Sequence, residues 1–243
     1  MPILRELGPT ILGILLLATL ATAVLTAYRV PHRWAPLLAI LRGALQLAVI
    51  SLILAGVITS AVWVGLALAV MFCVAAGTAT HRIGWSRDHA MMMGSAMAVG
   101  IAATLTIVFL TGAIQFSSRY VLAIGGIVVG NSMSIATLAG RRFTEAVDDH
   151  WDEVEGWLAL GATPRQSTLE LARGAVYGAL IPSVDQTKTT GLVTLPGAFV
   201  GAIFGGVSPL EAGRFQVVVL AAIMSAGAIT AVVVAAWMAP VRV

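Results

Sequence analysis

Residues 8–28 read GPTILGILLLATLATAVLTAY, an apolar run without one charged side chain. About 20 such residues suffice for a helix to cross a bilayer, where a helix satisfies its own backbone. The run is long enough to span, so it is expected to be retained as a first transmembrane helix and not to act as a cleavable leader. The whole 243-residue chain agrees with it, being 59% hydrophobic and 10% charged, with a mean hydropathy of +0.96. Soluble domains carry about 25% charge. This is an all-α integral membrane protein. Its single cysteine, Cys73, rules out an intrachain disulfide framework or a cysteine-based metal cluster. The net charge is only +3 and no basic run occurs, so nucleic acid is not an expected partner.

Working outward, further apolar runs fall near residues 36–58, 61–80, 90–111, 120–138 and 215–237, with Thr59 and Ser60 forming a tight turn. Arg29 and Arg33 lie in the first loop, none in the second, Arg82 and Arg87 in the third, and Arg119 alone in the fourth. Arg141, Arg142, Arg165 and Arg173 lie in a polar excursion after the fifth run. Basic loops stay in the cytoplasm. The expectation is about seven transmembrane helices, with the N-terminus outside and the excursion and C-terminus inside. Residues 1–243 form one transmembrane domain: five spans in 1–139, an amphipathic cytoplasmic elbow in 140–173, and a broken helix with the last two spans in 174–243.

The stretch from Ala179 to Gly206, ALIPSVDQTKTTGLVTLPGAFVGAIFGG, is the unusual one. It holds the only lysine, Lys188, with Asp185 three residues before it, and two prolines, Pro182 and Pro196. Ionisable groups at membrane depth face partners, cavities or pathways. The alternative is one i,i+3 pair on a solvated helix end. Gly197, Gly201 and Gly205 recur at every fourth position, a spacing that lets another helix approach closely. The stretch reads as a helix broken near Pro182, followed by a sixth span over residues 187–206.

In the excursion, Glu145, Asp148, Asp149, Asp152, Glu153 and Glu155 are six of the eleven acidic residues. Phe143, Val147, Trp151, Val154 and Leu158 recur at helical intervals, giving an amphipathic helix with one apolar stripe. Gly161 stops it, and Thr163-Pro164-Arg165-Gln166 fits a capping box with proline at the first helical position. An acidic face is repelled by an anionic leaflet, so this elbow is expected to meet a protein partner.

The run from Trp157 to Gln166, the Pro182–Asp185 segment, Thr187-Lys188-Thr189 and Leu195-Pro196-Gly197 together resemble the FetB family. These are permease subunits of bacterial ABC transporters linked to iron export, with plant relatives tied to aluminium tolerance. Arg42 with Gln46, and Gly130-Asn131-Ser132-Met133, resemble further patterns of that family, so the likeness covers most of the chain. The resemblance implies a homodimer in the bilayer, each copy meeting one cytoplasmic ATPase that binds ATP and Mg. The elbow is then the coupling helix, with Glu153, Glu155, Leu160, Gly161, Ala162, Thr163 and Pro164 as contacts. Glu155 and Gly161 keep the spacing of the Glu-Ala-Ala-x3-Gly loop of importer permeases, but Gly156 and Trp157 replace its alanines. The candidate pathway comprises Arg42, Gln46, Asn131, Pro182, Asp185, Lys188, Thr189 and Pro196, and the packing face Gly197, Gly201 and Gly205.

The residues alone leave other readings open. Arg42 and Gln46 either line the pathway or pair with Asp185, or Arg42 snorkels to the interface. Asn131 is expected to form an interhelical hydrogen bond. Met91, Met92, Met93 and Met97 are read as packing, and the four histidines lack ligand spacing, so no metal site is assigned. No nucleophile–base constellation and no phosphate-binding loop occur. The chain is therefore expected to be no enzyme itself and to hold no cofactor. Iron or another metal is the cargo implied by the family. A gradient-driven transporter using Asp185 and Lys188, or a non-transporting scaffold, are the alternatives.

Overall fold

The computed structural model describes the backbone of residues 2–57 and 60–240, and the side chains of residues 8–51 and 60–240. The chain divides after Thr59 into two compact units. The first is a helical hairpin, α1 (Pro2–Ala27) and α2 (Ala35–Val57). Arg29 and His32 take positive φ angles of 55° and 58° in its turn. Ala18 and Thr22 are buried, and the Thr22 hydroxyl donates to the Ala18 carbonyl at 2.9 Å. Most other apolar side chains described on the hairpin are exposed, as expected where lipid is the solvent. Of the expected turn at Thr59 and Ser60, Thr59 lies outside the described residues, and Ser60 is the extended N-cap of the next helix.

The second unit contains α3 (Ala61–Ile83), α4 (Arg87–Leu110), α5 (Ser118–Asp149), α6 (Trp151–Ala159), α7 (Pro164–Ser167), α8 (Leu169–Thr189), α9 (Gly197–Phe204) and α10 (Pro209–Met238). Serines open three of them. Ser86, Ser117 and Ser208 accept from the backbone N–H three residues on, so the first-turn donors are not left bare. Among the described residues, five helices are long and apolar enough to cross a membrane, and the N-terminal part of α2 is a shorter apolar helix. The all-α membrane architecture is thus as read from the sequence.

α10 lies at the centre, packed on α4, α5 and α8. Small residues set its distance from α4. A methyl group on Gly100 would stand 2.6 Å from both the Ala226 carbonyl oxygen and the Thr230 hydroxyl. Two polar contacts run along the same seam, from Thr104 to the Ser225 hydroxyl at 3.2 Å and from Thr230 to the Ala96 carbonyl at 3.4 Å. Buried Met92, Met93 and Met97 fill the space around it, flexible thioethers suiting irregular gaps.

Three expectations are corrected. α5 does not stop near residue 138. It runs on as one 32-residue helix, about 48 Å long at 1.5 Å per residue and well beyond a hydrocarbon core of about 30 Å. Pro182 does not break the chain: α8 continues through it for 21 residues. A proline removes one backbone bond, and in a bundle the neighbours absorb that loss. The sixth span over residues 187–206 is also overturned. The helix ends at Thr189, Gly191 turns at φ 92°, and α9 has only eight residues, about 12 Å. α8, at 21 residues, is long enough to cross but is not among the helices apolar enough to do so. The backbone break lies at residues 190–196.

Gly100→Ala is expected to lower the stability of the second unit by about 1–3 kcal/mol, the usual cost of overpacking. Gly94 lies on the same helix with nothing within 4 Å of an added methyl group. Gly94→Ala should be neutral or gain up to about 1 kcal/mol. Thermal unfolding of the two variants in one detergent checks the contrast.

Candidate functional site

The extension of α5 carries Phe143 and Val147 inward, where they meet Ala172 and Ala175 of α8 and Ala235 and Ala239 of α10. This small core holds the end of the bundle from which the elbow projects. His150 leaves helical geometry at φ −118° and ψ 28°, so the expected single amphipathic helix is two helices, α5 and α6, with a bend between them. The apolar stripe is inside at Phe143, Val147 and Val154, while Trp151 is 38% exposed. All six clustered acids face outward.

The turn after α6 is built from local hydrogen bonds. Gly161 adopts φ 91°, the left-handed geometry that glycine takes without strain. The Ala162 N–H donates to the Trp157 carbonyl and the Gly161 N–H to the Leu158 carbonyl, both at 3.0 Å. That pair is a Schellman closure of a helix end. The capping box follows at once. The Gln166 N–H donates to the Thr163 hydroxyl at 3.4 Å, and the Thr163 N–H donates to Gln166 Oε1 at 2.8 Å, with Pro164 at the first helical position. Leu160, the C-cap of α6, is 82% exposed within this closure. A groove of about 550 Å³ opens beside it, lined by Glu153, Val154, Trp157, Leu160, Gln166 and Glu170 among others. Leu160, Gly161, Ala162, Thr163 and Pro164 thus form one continuous turn, and Glu153 and Glu155 are exposed on α6 just before it.

Sequence reasoning missed the residue that ties this turn to the bundle. Thr168 is fully buried. Its hydroxyl lies 2.7 Å from the Ala239 carbonyl at the end of α10 and 3.0 Å from the Pro164 carbonyl. A lone threonine after a capping box carries no signal of a partner 71 residues away. The arginines nearby also bind across helices: Arg141 donates to the Arg82 carbonyl at 3.2 Å, and Arg142 lies against Gly178 of α8.

Within the second unit the pathway candidates lie on three elements: Asn131 on α5, Pro182, Asp185, Lys188 and Thr189 on α8, and Pro196 at the start of α9. Arg42 and Gln46 are exposed on α2, in the first unit. Asn131 donates to the Ile127 carbonyl of its own helix at 2.9 Å, which corrects the expected interhelical bond. Asp185 and Lys188 pair at 4.0 Å and remain more than 60% exposed, the solvated i,i+3 arrangement. Thr189 donates to the Asp185 carbonyl at 2.9 Å. Pro182 is inside α8, and Pro196 caps α9. Among the described residues nothing comes within 4 Å of a methyl group placed on Gly197 or Gly201, and Gly205 is the C-cap of α9. Among the described glycines, an added methyl group would come within 3.0 Å of another helix at Gly100, Gly125, Gly140, Gly178 and Gly227. Among the described residues no three His, Cys, Asp or Glu side chains are placed to hold a metal ion.

The profile of the uncharacterised protein family UPF0014 matches residues 10–241. The chain belongs to the UPF0014 family. Relatives include the UPF0014 membrane protein STAR2 of Oryza sativa subsp. japonica, 36% identical over 81% of this chain and 70% of that protein. The protein ALUMINUM SENSITIVE 3 of Arabidopsis thaliana is 35% identical over 79% of this chain and 71% of its own. The probable iron export permease protein FetB of Escherichia coli strain K12 is 36% identical over 57% of this chain and 53% of that protein. The family read from the residue pattern is thus the family found. No solved structure matches. The UPF0014 assignment, with relatives described as membrane proteins, agrees with a multi-pass membrane protein.

Thr168→Val is expected to destabilise the elbow end by about 1–3 kcal/mol, the cost of stranding buried polar groups. It should speed amide hydrogen exchange in the last turn of α10. Thr163→Ala, which removes an exposed cap worth about 1 kcal/mol, should leave that turn of α10 unchanged.

Proposed function

We propose that this chain is the membrane-spanning permease subunit of an ATP-driven ABC exporter. It works as a homodimer, and each copy meets a separate ATPase that binds ATP and Mg. One observation carries the reading: an acidic helix, α6, ending in a rigid, leucine-tipped turn stands one bend beyond α5, which itself continues unbroken from the apolar bundle. Closure of the ATPases would press on Leu160 and the carboxylates of Glu153 and Glu155. The Gly161–Pro164 turn resists bending, so displacement passes through α6 to α5 and, through Thr168, to α10. The chain itself has no phosphate-binding loop, and its one lysine is Lys188. The energy source then belongs to another chain.

Iron or another metal is the cargo favoured by the printed name of the Escherichia coli relative. The charge pattern of the loops supports a cell-membrane protein with its N-terminus outside and the elbow and C-terminus in the cytoplasm. Asp185 and Lys188 are exposed and paired with one another, which gives a gradient-driven mechanism no desolvated charge within this chain.

Charge reversal at Glu153→Lys with Glu155→Lys is the decisive test. Tagged wild-type chain should co-purify an ABC ATPase from membranes of its source, and hydrolysis should respond to added iron in lipid nanodiscs. The reversed variant should lose most of the ATPase, roughly tenfold or more for two like-charge contacts. Undiminished capture and transport by that variant would sink the coupling assignment.

A further inference from the structure

A second groove, about 460 Å³, runs between α8 and α10 on the flank of the bundle below the elbow. Its floor is apolar, with Leu169, Val176 and Leu180 on one wall and Val232 on the other. Its charged side chains are Arg165 and Arg173, both at the elbow end. Tyr177, 70% exposed, stands one turn further along. From Arg173 to Leu180 the apolar part extends about 10 Å along the helix. A cationic mouth on an apolar slot is the complement of an anionic amphiphile. Basic pockets between transmembrane helices take lipid headgroups in the same way.

We propose that this groove binds an anionic glycerophospholipid, its phosphate on Arg165 and Arg173 and an acyl chain along the α8–α10 floor. Among the described residues Arg165 has no carboxylate within ion-pair distance, so its guanidinium faces the mouth uncompensated. Arg173 uses one nitrogen on Glu170 at 2.5 Å. That exposed pair is weak, and a guanidinium keeps further donors for a phosphate. A second copy of the chain fits the groove poorly. A two-fold interface here would set the same arginines of both copies close together, and like charges oppose such a contact. The inference rests on the groove alone and is independent of the ATPase coupling.

Native mass spectrometry of the full chain in mild detergent tests it, with phosphatidylglycerol and phosphatidylcholine offered in equal amounts. Wild type should retain phosphatidylglycerol roughly thirtyfold better, the combined effect of two arginines beside a charged headgroup. Arg165→Ala with Arg173→Ala should remove that preference, Arg165→Lys with Arg173→Lys should keep most of it, and Ala236→Trp should block retention by filling the slot. Melting curves in zwitterionic detergent establish that each variant is folded. Equal retention of both lipids by wild type overturns the proposal. So does an unchanged preference in the double alanine variant, or an Ala236→Trp variant that alters the oligomeric state while keeping phosphatidylglycerol.

Discussion

Gly100 and the Ala226 carbonyl stand closer than any side chain at position 100 would allow, and the second unit depends on that approach. In lipid there is no water to expel from between two apolar helices, so association rests on contact distance and on the few polar bonds that a short distance permits. The Thr104–Ser225 and Thr230–Ala96 contacts occur because the backbones are already near. α10 can then serve as the common wall for α4, α5 and α8. The small core of Phe143, Val147, Ala172 and Ala239 is the continuation of that wall toward the elbow.

The elbow itself obeys a different physics. Its shape comes from closures within a few residues: a left-handed glycine, two carbonyls returned to the chain, and a reciprocal Thr163–Gln166 cap. Local chemistry of that kind needs no tertiary support, which is why it stands clear of the bundle with Leu160 in solvent. Thr168 is where the two regimes meet. It accepts its position from the α7 turn and hands it to the last carbonyl of α10.

The same division explains what the amino-acid sequence discloses. The capping box, the Gly161 stop and most of the spanning helices were legible because each is written in adjacent residues or in a long apolar run. The path of the chain after residue 174 was not. Pro182 carries the same local signal whether a bundle absorbs its missing bond or not, and here α8 passes through it. The glycines that meet other helices of the chain are ones such as Gly100 and Gly227, outside the regular Gly197, Gly201 and Gly205 series. Their partners lie on distant helices, so no spacing announces them. Asn131 turned to its own helix for the same reason: an i−4 carbonyl is always within reach.

Two helices carry the elbow into the bilayer, and they differ in compliance. α5 keeps every rung of its ladder from Ser118 to Asp149 and behaves as a stiff rod. In α8 the Gly178 carbonyl has lost its rung to Pro182, and the flat guanidinium of Arg142 rests against that point from α5. A helix with one rung missing bends there at lower energy than elsewhere. The rod and the jointed strut are in contact at the joint. A load on the common end therefore moves α5 as a whole, whereas α8 can yield at Pro182 and carry the 190–196 loop and the glycines beyond it through an angle of its own.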